Sequence, residues 1–132
     1  EEALYSQCLK QYQARDFQAM QYYVDQFVSR FPISVFSDNA LYLRGQLSLA
    51  LGSPAEALRD FDRVGREYPL GNKYAASLLG KAVAYRKMGL GQFSQRVINE
   101  IKNKHRESPE FYRAELEEKL LAMDMDTEKT ER

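Results

Sequence analysis

The residues equipped for chemistry are few and scattered. Cys8 is the single cysteine and His105 the single histidine among 132 residues. One cysteine excludes an internal disulfide and a multi-cysteine metal site, and one histidine excludes the paired-histidine zinc motifs. Cys8 lies among Leu4, Gln7 and Gln11 with no histidine nearby to draw off its proton, so it reads as a small packed residue. His105 would have to do acid–base work alone. Glu115, Glu117 and Glu118 suggest an acidic site, yet on a terminal helix they are expected to form its solvated face. Gly89-Leu90-Gly91 lacks the third glycine and the preceding strand of a dinucleotide-binding loop and serves better as a turn. Lys102, Lys104, His105 and Arg106 form one local basic cluster, but cations at a helix C-terminus are also what the macrodipole favours. No nucleophile is paired with a base and no phosphate loop precedes a helix, so the expectation is a non-enzymatic protein with no metal and no cofactor.

Composition narrows the classes further. Hydrophobic residues make up 44% and charged residues 29%, as in a folded, soluble chain of one domain. Nineteen Lys plus Arg balance nineteen Asp plus Glu, so no general field draws the protein onto nucleic acid or an anionic bilayer. No apolar run approaches the roughly 18 residues needed to cross a membrane. The first residues have neither the basic start nor the apolar centre of a secretory signal. A chain that opens on Glu1 is expected to be an excised or processed piece of a longer one.

The elements that must position any site are helices. Pro32, Pro54, Pro69 and Pro109 all stand where helices change over. Ser53, Pro54 and Glu56 give a hydroxyl cap, a first-turn proline and the acid of a capping box; Ser108, Pro109 and Glu110 give a similar start. Gly52 and Gly89 follow apolar-periodic runs and mark stops. Leu41, Gly45, Leu49 and then Leu58, Phe61, Val64, Tyr68 recur at three and four residues, the period of a helix. The spacing predicts an all-α fold with helices at about 2–14, 16–31, 37–51, 54–67, 73–88, 91–106 and 109–123, and a disordered tail over 124–132.

The chain also repeats itself. Shifted by 37, Phe31-Pro32 falls on Tyr68-Pro69, Phe27 on Val64, Val24 on Phe61, Met20 on Ala57 and Cys8 on Gly45. A third copy aligns Gly45 with Gly80 at a shift of 35, then Gly52 with Gly89, Phe61 with Ile98, Val64 with Ile101 and Tyr68 with His105 at 37. This alignment predicts a two-residue insertion that lengthens the first helix of the third unit, and gives His105 an aromatic packing position.

With Leu41, Gly45, Gly52, Ala57, Phe61 and Pro69 at its signature places, the middle unit resembles the tetratricopeptide repeat. The first unit keeps Leu4 and Pro32, and the third keeps Leu79 and Gly80. The resemblance covers residues 1–106 and implies a right-handed superhelix of about three helical hairpins in a single domain over 1–123. The units span about 1–34, 37–71 and 73–106, and a capping helix over 109–123 is expected to lay Phe111, Tyr112, Leu116 and Leu120 on the third hairpin. In that family the first helix of each pair lines a concave groove. The implied lining is Tyr5, Leu9 and Tyr12, then Asn39, Tyr42, Gln46 and Leu49, then Tyr74, Ser77, Lys81 and Tyr85. Such a tyrosine-rich surface implies a protein or peptide partner. The lysine–asparagine ring with which chaperone-type repeats grip a terminal carboxylate is absent, since Tyr5, Leu9, Leu43 and Gln46 fill its places and Lys81 stands alone.

The strings FVSRFPIS, DNALYLRGQLSLALG and FDRVGREYPLGNKYAASLLGKAVAYRKMG are similar to repeats of bacterial envelope proteins. These are the Tol-Pal-associated periplasmic family, YbgF or CpoB, and the outer-membrane assembly lipoprotein family of BamD. That likeness implies an adaptor in the periplasm or on the periplasmic face of the outer membrane of a Gram-negative bacterium. A cytoplasmic adaptor with an unrelated partner is the alternative.

Overall fold

The computed structural model describes residues 1–131. Among them the regular structure is helical: α1 (Glu2–Gln13), α2 (Phe17–Arg30), α3 (Ser37–Ala50), α4 (Pro54–Glu67), α5 (Tyr74–Lys87), α6 (Gly91–Lys104) and α7 (Pro109–Glu131). Gly52 and Gly89 take φ of +77° and +76°, the left-handed conformation that closes α3 and α5. Pro54 stands in the first turn of α4, where its missing N–H has no helical partner to lose. The expected capping box does not form. Ser53 is the N-cap, but its hydroxyl makes no cap hydrogen bond, and its N–H already donates to the Ser48 carbonyl at 2.8 Å, so the glutamate half of the box has no donor to serve. Ser108 likewise turns its hydroxyl back onto the His105 carbonyl at 2.7 Å. Asp16 is the residue that caps, accepting from the Ala19 N–H at 3.1 Å.

Helices α2, α4 and α6 are 14 residues long and begin at 17, 54 and 91, while α3 and α5 are 14 residues long and begin at 37 and 74. One 37-residue period runs unbroken through them, so the two-residue insertion expected in the third unit is absent. One period beyond Gly45 stands Ala82, and it has the corresponding place. Ala82 is fully buried, and Ser94 donates its hydroxyl to the Ala82 carbonyl at 2.8 Å where α6 crosses α5. Gly80 has a different task. A Cβ at Gly80 would lie 2.6 Å from the Phe61 ring, and one at Gly45 would lie 2.5 Å from it. Phe61 of α4 is thus held between α3 of its own hairpin and α5 of the next, in space that two glycines leave open.

The same period continues into α7. Ala40, Ser77 and Ala114 are buried at successive periods, and so are Leu47, Ala84 and Leu121. α7 therefore stands where the first helix of a fourth hairpin would stand. It docks through Ala114, Glu117 and Leu121, whereas Tyr112 is 71% and Leu116 57% exposed, contrary to the expected contact face. Glu117, expected in water, is buried and accepts from Arg86 at 2.8 Å. α7 also continues past 123 to Glu131, so 124–131, expected as a disordered tail, are helical; Arg132 lies outside the described residues. No glycine or proline follows Pro109 to end the helix, Asp124 meets Arg86 at 3.3 Å, and the Thr127 hydroxyl donates to the Met123 carbonyl at 3.0 Å.

Candidate functional site

The odd-numbered helices make the inner row. α3 abuts α5 and α5 abuts α7, whereas α2, α4 and α6 make no comparable contact with one another. A double layer whose one row touches side by side and whose other row is spread curves toward the touching row. On this side an open groove of about 590 Å³ crosses from α1 to α5. Tyr12 lines it from α1, Gln46, Leu49 and Ala50 from α3, and Val83 and Lys87 from α5; Gln13, Arg15 and Phe17 close the end at the α1–α2 turn.

Tyr42 stands one turn before Gln46 of the lining and behind it, outside the groove surface itself. Its ring lies 5.9 Å from Phe61, the Lys73 Nζ sits 5.3 Å over its face, and Gln46 Nε2 donates to its hydroxyl at 2.6 Å. Burial pushes the Tyr42 phenol above its ordinary pKa, and the Gln46 hydrogen bond partly offsets that. Tyr12 and the charges of Arg113 and Glu110 on α7 also act on this phenol, so both ends of the inner row are within electrostatic reach of it. One period earlier the geometry recurs with different chemistry: Tyr5 stacks on Phe36 at 4.7 Å, with Phe27 5.9 Å away. Phe36 and Lys73 each precede an odd-numbered helix and cover a tyrosine of the odd helix before it. Tyr5 is half-buried, and burial raises its pKa while the Asn39 amide lowers it. Asn39 is part-buried beside it, its Oδ1 without a partner, and Leu9 is exposed one turn before Tyr12. Of the sequence-derived lining, Tyr12, Gln46 and Leu49 converge on the groove, Tyr42 stands behind Gln46, and Tyr5 and Asn39 are taken up in packing.

No protein-family model and no curated protein matches the chain. Its backbone matches the crystal structure of the P58(IPK) TPR domain with a TM-score of 0.69 over 97% of its length. The fold is that of the tetratricopeptide repeat. At 19% identity the likeness concerns architecture alone, and the chain spans 34% of the length of that solved chain. The architecture is a right-handed superhelix of three tetratricopeptide hairpins with α7 as the terminal helix.

The third tetratricopeptide hairpin turns its four expected groove residues elsewhere. Tyr74 meets His105 at 5.8 Å, Ser77 is buried with no partner for its hydroxyl, Lys81 pairs with Asp62 at 3.3 Å, and Tyr85 stacks on Phe93 at 5.5 Å. Aligning Gly80 with Gly45 displaces the register by two residues, which is about 200° of helix rotation and nearly the opposite face. The 37-residue register makes Leu79, Val83 and Lys87 the counterparts of Tyr42, Gln46 and Ala50, and Val83 and Lys87 do line the groove. The constant spacing of Gly52 and Gly89 was the signal for it.

Lys81 belongs to a contact that repeats between hairpins: Arg44 with Asp25, and Lys81 with Asp62 one period later, both at 3.3 Å. Arg44 is also bound by both Asp60 oxygens at 2.8 and 2.9 Å, which raises its pKa. At the last junction the polarity reverses. Glu118 accepts from Gln95 at 2.7 Å and Lys102 at 3.0 Å, and these bonds hold its carboxyl below the usual range. Lys104 pairs with Glu100 at 3.6 Å, so both lysines of the basic cluster meet carboxylates of the protein itself.

Proposed function

We propose that this protein is a non-enzymatic scaffold that holds a polypeptide segment in the groove of its inner face. The carrying observation is the convergence of Tyr12, Leu49 and Val83 from three successive hairpins on one open space, with Gln46 of the same lining held by its donation to the Tyr42 hydroxyl. Aromatic rings with a polar rim give large contact area at low rotamer cost, and a repeat array offers an elongated surface to match an elongated ligand. The proposed setting is the periplasm or the periplasmic face of the outer membrane of a Gram-negative bacterium, supported by the repeat strings from FVSRFPIS onward; fractionation of cells expressing the full-length gene separates it from a cytoplasmic adaptor.

The test is selection of dodecapeptides from a random display library on the 132-residue protein, followed by calorimetry. Tyr42→Ala should weaken a selected peptide by about 2 kcal/mol, near thirtyfold, while the helical spectrum persists. Val83→Arg should abolish binding by filling the groove. Unchanged affinity in both folded variants overturns the reading.

A further inference from the structure

We propose that the groove selects a segment with an acidic side chain beside its apolar anchors, and that Arg15 is the residue that reads the acid. The inference rests on the groove reading above. Arg15 has φ +56°, and among the described residues it is the non-glycine residue with positive φ. One and two periods later the same place holds Gly52 and Gly89. Hydrogen bonding shows the three turns to be one design. The N–H groups of Asp16, Ser53 and Leu90 reach the carbonyls of Gln11, Ser48 and Tyr85 at 3.1, 2.8 and 2.9 Å. Those of Arg15, Gly52 and Gly89 reach Tyr12, Leu49 and Arg86 at 3.1, 3.1 and 3.0 Å. Glycine adopts this conformation freely, whereas a Cβ there crowds the backbone. A chain that makes the turn twice with glycine and once with arginine keeps the arginine against its backbone preference, and such strain is concentrated at functional positions.

What the arginine gains is its place. It lines the groove with Tyr12, Gln46, Val83 and Lys87. Arg15 and Lys87 are the charged residues of that lining, both are cationic, and neither has an ion-pair partner among the described residues. Elsewhere the protein neutralises its part-buried cations: Arg44 with Asp60, Lys81 with Asp62, Arg86 with Glu117. In a chain of zero net charge, a largely apolar groove with two uncompensated cations in its lining is complementary to an Asp or Glu next to aliphatic or aromatic anchors. The reader is a residue of an interhelix turn, unlike a lysine–asparagine ring on the helices.

The experiment compares peptides selected from the random dodecapeptide library with versions in which Asp and Glu are replaced by Asn and Gln. Calorimetry is run at low and high salt on the whole protein. Selected peptides should be enriched in acids, and neutralising the acid should weaken binding by about fivefold at low salt and less at high salt. Arg15→Gly should produce the same loss while raising the melting temperature, and should be indifferent to the acid; Arg15→Lys should retain most of the affinity. Lys87→Gln should give a smaller loss with no change in melting temperature. An arginine serving structure alone would alter melting without altering the dissociation constant. Peptides that are blocked by Val83→Arg yet carry no acid, or bind Arg15→Gly equally well, overturn this inference and leave the groove standing. Affinity lost together with a lower melting temperature in Arg15→Gly also overturns it. Peptides indifferent to Val83→Arg, or no enrichment at all, overturn the groove reading and this inference with it.

Discussion

A ring clasped between two glycines leaves its neighbours little to collapse with when it is removed. Phe61 is fully buried, and the backbones at Gly45 and Gly80 press on it from successive hairpins. Phe61→Ala should therefore cost roughly 3 to 5 kcal/mol in denaturant titration, the range for a large core ring whose cavity persists. A loss below about 1 kcal/mol would reject this placement. Cys8 makes a second prediction at this scale. It is fully buried, and burial pushes its thiol up to about 11. A thiol whose folded pKa lies above the unfolded value of about 8.5 stabilises the fold below that value and loses the contribution as pH rises through the folded pKa. Stability should fall between about pH 8.5 and 11, and Cys8→Ala should flatten that limb. At pH 8 a thiol reagent should react with Cys8 only as fast as α1 opens from the end of the stack. The core character of Phe61 and Cys8 is legible in the helical spacing; the role of Gly80 is not, because a glycine carries no pattern of its own.

α7 closes the array, and its dependence on α5 and α6 is unusually polar. Ala114 and Leu121 supply its buried apolar contacts, while Glu117 is buried against Arg86 and Asp124 adds a second carboxylate. Glu117→Ala strips Arg86 of its principal partner and should cost about 2 kcal/mol, less than a fully buried pair because Arg86 retains some water. Removing everything after Ser108 should do more: it bares the apolar side of α5 and α6 and should lower the melting temperature and promote association in sedimentation. A truncated chain that stays monomeric with unchanged melting would count against this docking. Glu118 adds an acid limb. Its carboxyl is depressed below the unfolded value near 4.3, so its stabilisation is present above that pH and fades as pH falls through the folded pKa. Glu118→Gln should shrink the acid-side loss of stability in pH-resolved melting.

Across the whole molecule, each helix is stabilised chiefly by its neighbours in the stack. α4 packs between α3 and α5, and α5 meets α3, α4, α6 and α7, whereas α1 has α2 as its one extensive neighbour. In such quasi-one-dimensional arrays opening begins at the ends. Amide exchange should accordingly be slowest in α4 and α5 and fastest in α1, with α7 between because Arg86 and Lys102 tie it down. Uniform protection from α1 to α5 would contradict this ordering.

Helix positions, hairpin turns and the 37-residue period were legible because they are local properties: apolar spacing, prolines at changeovers, and glycines at Gly52 and Gly89 where the chain must go left-handed. The expectation of a groove lining on α1 and α3 came from the tetratricopeptide resemblance, projected along each helix by its period. The same projection missed the lining on α5, because Gly80 and Ala82 are both small and stand two residues apart. Which of them meets the helix of its own hairpin, and which meets Phe61, is settled only when α4 and α6 are packed around α5. The ion pairs had no sequence signal for the same reason: Arg44 and Asp25, or Arg86 and Glu117, are brought together by superhelical stacking across separations that no helical period relates. Arg15 shows the division most plainly: the 37-residue period sets it one unit before Gly52, whose left-handed turn it shares, and only the tertiary structure gives it a place in the lining of the groove.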